Sequence, residues 1–523
     1  MPRYRTEKDT LGAVKVPAEA YYGAQTRRAV ENFPISGMRL QISFIKAQAL
    51  IKNAAARANM EAGVLDSVAG GAIVRAAEEI RAGRFDDQFV VDVFQAGAGT
   101  SQNMNMNEVI ANRAEELLGG RKGTYRLVHP NDHANMSQST NDTIHAAIHI
   151  AAVTESHEKL LPAMELLEKS LEAKSRAFDT VIKCGRTHLQ DAVPIRMGQV
   201  FGAYAAMVRQ GGARVMRSLD GMLALGVGGT AVGTGLNTPP GYGESVIKHI
   251  RALAGYEFRL APDMIEAMQS FGAVVDFAGA LRSVVSDLKK IADDFRLMSS
   301  GPRTGFAELM LPAVQPGSSI MPGKVNPVLA EMLDMVVFHA MGNDTTVVQA
   351  AQAGQLELNV MMPVIAYNIL QEIDILAAGM DAFARKCVRG VKVDEKTCRL
   401  YAERSAALAT ALSPVIGYRK AAELAKEALR KGVLLRDLAL QENIVSEKEL
   451  ERLLDLRTMT GRDAPRKERA AKRRTAKKGS PIKRSPARRS SKRRPSAKQA
   501  SKKQSSRKQP SRKPSTKKRP TKK

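Results

Sequence analysis

Between Gly317 and Pro327 the chain reads Gly317-Ser-Ser-Ile-Met-Pro-Gly-Lys-Val-Asn-Pro327. Ser318 and Ser319 supply two hydroxyls, Lys324 a cation and Asn326 an amide. That set suits gripping and deprotonating a carboxylate substrate. Pro322-Gly323 turns the chain, and the Gly and Pro content predicts a mobile lid with defined turns. A solvated surface loop would account for the polarity. It would not account for Ile320 and Met321, two apolar side chains set between the serines and the lysine.

Three further polar loops stand out. Gly185-Arg-Thr-His-Leu-Gln-Asp191 holds His188 between the Thr187 hydroxyl and the Gln190 amide. A single histidine is more often a satisfied structural residue than a catalytic one, so its reading depends on what surrounds it. Ser137-Gln-Ser-Thr-Asn-Asp142 puts three hydroxyls among three other polar side chains; alone it also reads as a helix start, with Ser139 or Asp142 as N-cap. Gly97-Ala-Gly-Thr-Ser101 leads into Asn103-Met-Asn-Met-Asn107, where small residues would let a ligand approach the backbone. The sequence has no Walker A loop, no His-Glu-x-x-His, no Cys-x-x-Cys and no Gly-x-Ser-x-Gly. His129/His133 and His145/His149 have the i, i+4 spacing that binds a metal on a helix. Pro130 and Asn131 disfavour helix in the first pair, and neither pair has a cysteine nearby. No metal and no cofactor is expected.

The elements that must position these loops are helical. Phe277, Leu281, Val284, Leu288, Ile291, Phe295 and Met298 alternate steps of four and three, a heptad seam with Arg282, Asp287, Lys289 and Asp293 off it. Leu160, Met164, Leu167, Leu171 and Phe178 repeat the pattern. Ile369, Ile373, Leu376 and Met380 do so after Pro363. Several long seams imply a helical bundle, and seams of this length predict packing between subunits as well. Strand signals are weak: aromatics are 5% and there is no Trp. The uncharged stretch Met222 to Pro240 is rich in Gly and Thr and reads as loop.

A hydrophobic fraction of 44% predicts a large globular body. The formal charge of +27 is unevenly placed. Arg466–Lys523 holds 27 of the 80 Lys and Arg but one of the 53 acids, so the body before it is nearly neutral. That tail is Lys, Arg, Ser, Pro, Ala, Thr and Gln, with Ile482 its sole large aliphatic residue; it is expected to be disordered. Its composition is similar to linker-histone tails and suits a polyanion such as nucleic acid, or serves merely as a solvating extension. Cys184, Cys387 and Cys398 show no metal or disulfide spacing, which fits a reducing, cytoplasmic setting. The polar start predicts no secretory signal, and no apolar run is long enough for a membrane span.

Taken in order, the four loops resemble the fumarase/aspartase superfamily, and Gly317–Pro327 resembles its hallmark loop. The resemblance covers about Tyr4 to Thr460 and excludes the tail. It implies a mainly α, three-domain fold with a central long-helix bundle, a homotetramer with a twenty-helix core, and active sites built from loops of three subunits. Domains are expected at 1–138 (N-terminal lyase domain), 139–393 (central bundle), 394–465 (small C-terminal helical domain) and 466–523 (basic tail).

The resemblance also implies roles. Ser318 is the general base that takes the proton β to the leaving group of a small dicarboxylate. Its hydroxyl is a poor base unless dipoles and Lys324 lower its pKa. Ser319, Thr100, Ser139 and Thr140 would cradle the resulting aci-carboxylate. Lys324, Asn326 and Thr187 would hold the other carboxylate. His188 lines the site, Glu331 matches the position that pairs with it, and Asn141 would accept from a substrate ammonium. The product is fumarate. Tyr21-Tyr22-Gly23, Ala98–Ser101, Ser139-Thr140-Asn141, Asn343–Val348 and Gln355–Val360 are more similar to aspartate ammonia-lyases than to fumarate hydratases. Arg126, His129, Asn131 and Asp132 resemble the secondary dicarboxylate site of fumarases, and His188 leans the same way. His145 stands where the superfamily usually has proline.

Overall fold

The computed structural model describes residues 3–461. The basic segment from Arg466 and the end of the expected 394–465 domain lie outside the described residues.

Five long helices form the bundle: Leu161–Ala177, Met197–Met222, Gly272–Met298, Val328–Ala351 and Met362–Ala382. Each packs on the next, and the last returns to the first. The reason lies in the seams. All seven seam residues of Gly272–Met298 are buried, as are Leu160, Met164, Leu167 and Leu171 of the second seam and all four of the third. Phe178 is only partly buried against the core. Phe201, Phe295 and Phe383 meet edge to face at 5.5 and 5.1 Å where three helices converge. Truncating such a ring to Ala typically costs 3–5 kcal/mol. Pro363 sits in the first turn of its helix, where its missing N–H costs nothing.

Ahead of the bundle, Ile42–Glu61 is buried almost all round, packing on Ser67–Arg81 and on Thr140–Glu155. The weak strand signals match four two-stranded ribbons among the described residues. One of them, Ile182–Thr187 against Gln190–Arg196, carries His188 at its turn. The stretch between Met222 and Tyr242 is loop apart from Ala224–Leu225, which pairs with Arg259–Leu260. A smaller separate core gathers Leu412, Leu424, Leu435, Leu438 and Leu450. No described helix is long and apolar enough to cross a membrane.

One local expectation is corrected. Pro130 and Asn131 do not prevent a helical turn: Pro130–Ala134 forms a single wide one, with proline in its first turn and His129 as its cap.

Candidate active site

Ser139 is the N-cap of Thr140–Glu155. Its Oγ accepts the Asn141 N–H at 3.2 Å, while Asp142 Oδ1 accepts the Ser139 N–H at 2.9 Å, a reciprocal capping box. Of the two sequence alternatives, Ser139 is the N-cap, and Asp142 instead stands at the third helical position, where it completes the box. The other Asp142 oxygen accepts the N–H groups of Gly228 (3.1 Å) and Thr230 (3.2 Å). Asn141 Nδ2 donates to Ala231 O at 2.7 Å. Because that carbonyl only accepts, the amide orientation is fixed and Oδ1 is left as the acceptor. Thr140 is buried, and its Oγ1 accepts from Asn103 Nδ2 at 3.3 Å. Three polar loops that are far apart in sequence thus meet at one helix start.

Two buried ionisable side chains, Lys52 and Asp142, stand in this cluster. Lys52 Nζ donates to Asn135 Oδ1 at 3.0 Å, and the same oxygen accepts from Asn103 (3.0 Å) and Asn107 (3.1 Å). Burial pulls the Lys52 ammonium down to about 7, against the opposing pull of the Asp142 carboxylate. Burial likewise pushes Asp142 up to about 6, opposed by the N–H donors of Ser139, Gly228 and Thr230 and by Lys52. Each is held by its own hydrogen bonds, Lys52 on Asn135 and Asp142 on three backbone N–H groups, and no ion-pair contact joins the two.

Thr100 opens the helix Thr100–Leu117, its Oγ1 donating to Gly97 O at 2.6 Å. To donate to a substrate it must turn. Gly99 is small for a packing reason: a Cβ there would come within 3.1 Å of Ile144. His129 Nδ1 accepts the N–H groups of Asn131 and Asp132, each at 3.3 Å, and lies 3.2 Å from Asp132 Oδ2. Capping needs a bare Nδ1 and the ion pair a protonated one, so the two contacts exclude each other. Arg126, Asn131 and Asp132 are exposed beside it.

Thr187 and His188 sit at an exposed hairpin tip. The two-residue turn, His188-Leu189, has φ of 55° and 57°. Non-glycine residues rarely adopt that pair of conformations, and the register of the ribbon imposes it here. The sequence, lacking Asn-Gly, gives no hairpin signal.

The Gly317–Pro327 loop closes on itself. Gly317 N donates to Lys324 O at 2.8 Å, and Asn326 Nδ2 donates to Gly317 O at 2.7 Å. A Cβ on Gly317 would stand 2.4 Å from the Lys324 carbonyl oxygen, so only glycine closes this ring. Ser318 Oγ accepts the N–H groups of Ile320 (3.2 Å) and Met321 (2.9 Å). Ser319 and Lys324 are exposed, and Glu331 lies in the first turn of Val328–Ala351. Among the described residues no hydrogen bond or ion pair joins this loop to the hairpin tip or to the Ser139 cluster. The single chain therefore presents three separate polar patches.

Residues 12–342 match the lyase family, and residues 408–461 match the fumarase C C-terminus. The chain belongs to the fumarase/aspartase superfamily. Aspartate ammonia-lyase of Bacillus subtilis is 48% identical over 457 residues, 87% of this chain and 96% of that protein. Class II fumarate hydratase of Brucella suis is 48% identical over 454 residues, 87% and 98%. A fumarate lyase/delta crystallin structure from Brucella melitensis superposes with a TM-score of 0.85 at 46% identity, covering 88% of this chain and 100% of that one. A class II fumarase structure from Schistosoma mansoni gives 0.85 at 37%, covering 88% and 99%. Overall likeness to the superfamily is thus equal for the two activities and does not select a leaving group.

For a fumarase/aspartase superfamily member, the sequence reading omits Lys52, Asn135 and Glu308. Lys52 was legible in principle. It stands in Ala49-Leu-Ile-Lys-Asn-Ala-Ala-Ala56, a charge on a helix otherwise fit for complete burial.

Proposed function

We propose that the protein is an aspartate ammonia-lyase, converting L-aspartate to fumarate and ammonia with Ser318 as the base. The observation that carries the base assignment is the pair of backbone N–H groups aimed at Ser318 Oγ. Donors fixed on a hydroxyl oxygen stabilise its alkoxide and so make it a stronger acid in the resting enzyme and an available base at neutral pH. Lys324 adds positive charge from the same loop.

In this reading Ser318 takes a proton from the carbon next to one carboxylate, whose charge moves onto its two oxygens. Ser319, Thr100, Ser139 and Thr140 donate to that aci-carboxylate. Lys324, Asn326 and Thr187 hold the distal carboxylate. The C–N bond then breaks, with the amino nitrogen leaving as ammonia and His188 and Glu331 handling protons beside it. The choice of leaving group rests on Thr140 and on the Gln355–Val360 stretch; Asn141, whose fixed Oδ1 acceptor suits the N–H donors of a substrate ammonium, is shared by both kinds of enzyme and does not select between them. Fumarate hydratase is the second reading, favoured by His188 and by Arg126, His129, Asn131 and Asp132.

Completion of the site requires other copies. The three patches are unjoined within one chain, and Val328–Ala351 exposes Met335 and Phe338, 64% and 61% accessible, on one face. We take the working unit to be a homotetramer.

Fumarate absorbs in the ultraviolet, so one assay tests both activities. Faster fumarate release from saturating L-aspartate than from L-malate is the expected result. Turnover of malate with none of aspartate would reverse the reading to fumarate hydratase.

A further inference from the structure

The hairpin that carries Thr187 and His188 is anchored by one buried carboxylate. Glu308 is wholly inaccessible to solvent. Arg186 Nη1 donates to its Oε1 at 2.7 Å. Lys183 Nζ lies 3.1 Å from its Oε2, an ion-pair contact rather than an aligned hydrogen bond, and donates instead to Cys184 O at 2.9 Å. Both cations belong to the strand Ile182–Thr187, on either side of the register shift between Cys184 and Arg186. The Arg186 guanidinium also lies over Phe306, 4.3 Å from the ring centre, and near Tyr401 at 5.6 Å. It is thus held in plane by a ring on the same segment as its carboxylate.

The carboxylate is itself fixed. Glu308 N donates to Met298 O at 2.8 Å, and Glu308 O accepts from Asp394 N at 3.1 Å. The next residues, Leu309–Met310, pair with Lys392–Val393. Glu308 therefore stands on the connection between the end of Gly272–Met298 and Ser318, ten residues further on. The hairpin tip and the serine loop share this root.

We propose that Glu308, acting through Arg186 and Lys183, is the positioning residue that sets the Thr187–His188 tip for the reaction. The physical need is plain. A two-residue turn of His and Leu with positive φ at both positions is not self-stabilising, and among the described residues no side-chain hydrogen bond ties Thr187 or His188 to the body. Its aim is inherited from the strand below, and that strand is fixed by two cations on one desolvated carboxylate. Desolvated charges hold direction well because any displacement leaves a buried charge unpaired. A tip displaced by about 1 Å is enough to cost ~100-fold in rate.

The proposal rests on the reading of Thr187 and His188 as site residues, and the experiment separates the two. Arg186→Met removes one cation and leaves Glu308 paired with Lys183, which is milder than deleting the carboxylate. In the full-length enzyme it should lower kcat/KM for L-aspartate, or for L-malate if that is the substrate, by ~10- to 100-fold. The same substitution in a Thr187→Ala/His188→Ala background should cost less than about threefold, because the groups it positions are gone. Equal losses in both backgrounds would overturn the proposal, since a general packing defect acts regardless of the tip. A Thr187→Ala/His188→Ala enzyme with unchanged kcat and KM would overturn the site reading itself, and the clamp with it. Glu308→Gln leaves two buried cations against a neutral amide, so it risks misfolding. Adding Lys183→Met to Glu308→Gln restores the charge balance and keeps an acceptor for Arg186. That double variant should recover at least tenfold of the kcat/KM lost by Glu308→Gln; failure to recover any, in a folded oligomer, counts against the clamp.

Discussion

Ser318 illustrates what a side chain gains from its own loop. A free serine hydroxyl is far too weak an acid to serve as a base near neutrality. Here its Oγ lies at the focus of the Ile320 and Met321 N–H groups, with Lys324 on the same turn. Ring closure by Gly317 and Asn326 holds that arrangement without help from the rest of the chain. Replacing Ser318 by Ala should therefore leave folding and assembly intact and lower kcat by ~100-fold or more, the usual cost of a positioned base. The measurement is steady-state turnover beside the sedimentation profile of the same preparation. Near-normal turnover in a folded Ser318→Ala enzyme would remove Ser318 from the base role. The contrast with Lys52 is instructive. Ser318 can be read from sequence because its loop is local and its neighbours are consecutive. Lys52 is visible locally only as a charge in an apolar helix; its acceptor, Asn135, stands 83 positions away, and nothing local announces that meeting.

Among the elements, the Thr140–Glu155 helix carries both the substrate-facing cap and an untypical interior. His145 and His149 are buried one turn apart, ring centres 4.3 Å from each other, with His145 Nδ1 and His149 Nε2 unpartnered. His149 Nδ1 lies 3.0 Å from Ala224 O, which fixes the proton on that nitrogen. Burial holds His149 down at about 4 and His145 well below its usual range, with the neighbouring His149 also opposing protonation of His145. The sign follows directly. In the unfolded chain both take up protons as pH falls through about 6.5; in the folded chain they do not. Their contribution is present above that pH and is lost as pH falls from there toward the lowered folded values, by roughly 2 kcal/mol for His149 between pH 7 and pH 5. His145→Leu removes one such group and an unpartnered buried nitrogen. It should lose less stability than the parent over that interval, as read from denaturant midpoints at the two pH values. An identical acid slope in both proteins would show that His145 titrates normally. Elements as a class were legible where periodicity repeats: the three seams became three buried helix faces. The His188 hairpin was not. Its turn residues lack the Asn-Gly signature, and the carboxylate that Arg186 meets lies 122 positions away.

At the scale of the molecule, charge divides the chain into two materials. The body before Pro465 is nearly neutral and contains every group proposed to touch substrate, whereas Arg466–Lys523 has 27 cations and one acid. No step of the lyase reaction calls on that excess. Truncation after Pro465 should therefore leave kcat and the oligomeric state unchanged, while abolishing retention on DNA or another polyanion. In the proposed tetramer four such segments would act together, so the intact protein should bind much more tightly than a peptide of the tail sequence alone. Binding should weaken steeply with added salt, because each phosphate neutralised releases condensed counterions. It should show little sequence preference, since the segment has no aromatic residue to stack on a base, and contacts from lysine and arginine to phosphates carry no sequence information. A gel-shift titration of full-length and truncated protein at two salt concentrations makes the comparison. Equal binding by the two would place the polyanion site on the neutral body, against its charge balance. Loss of lyase turnover on truncation would instead make the basic segment part of the catalytic unit, reaching a dianionic substrate through the same charge that attracts the polyanion.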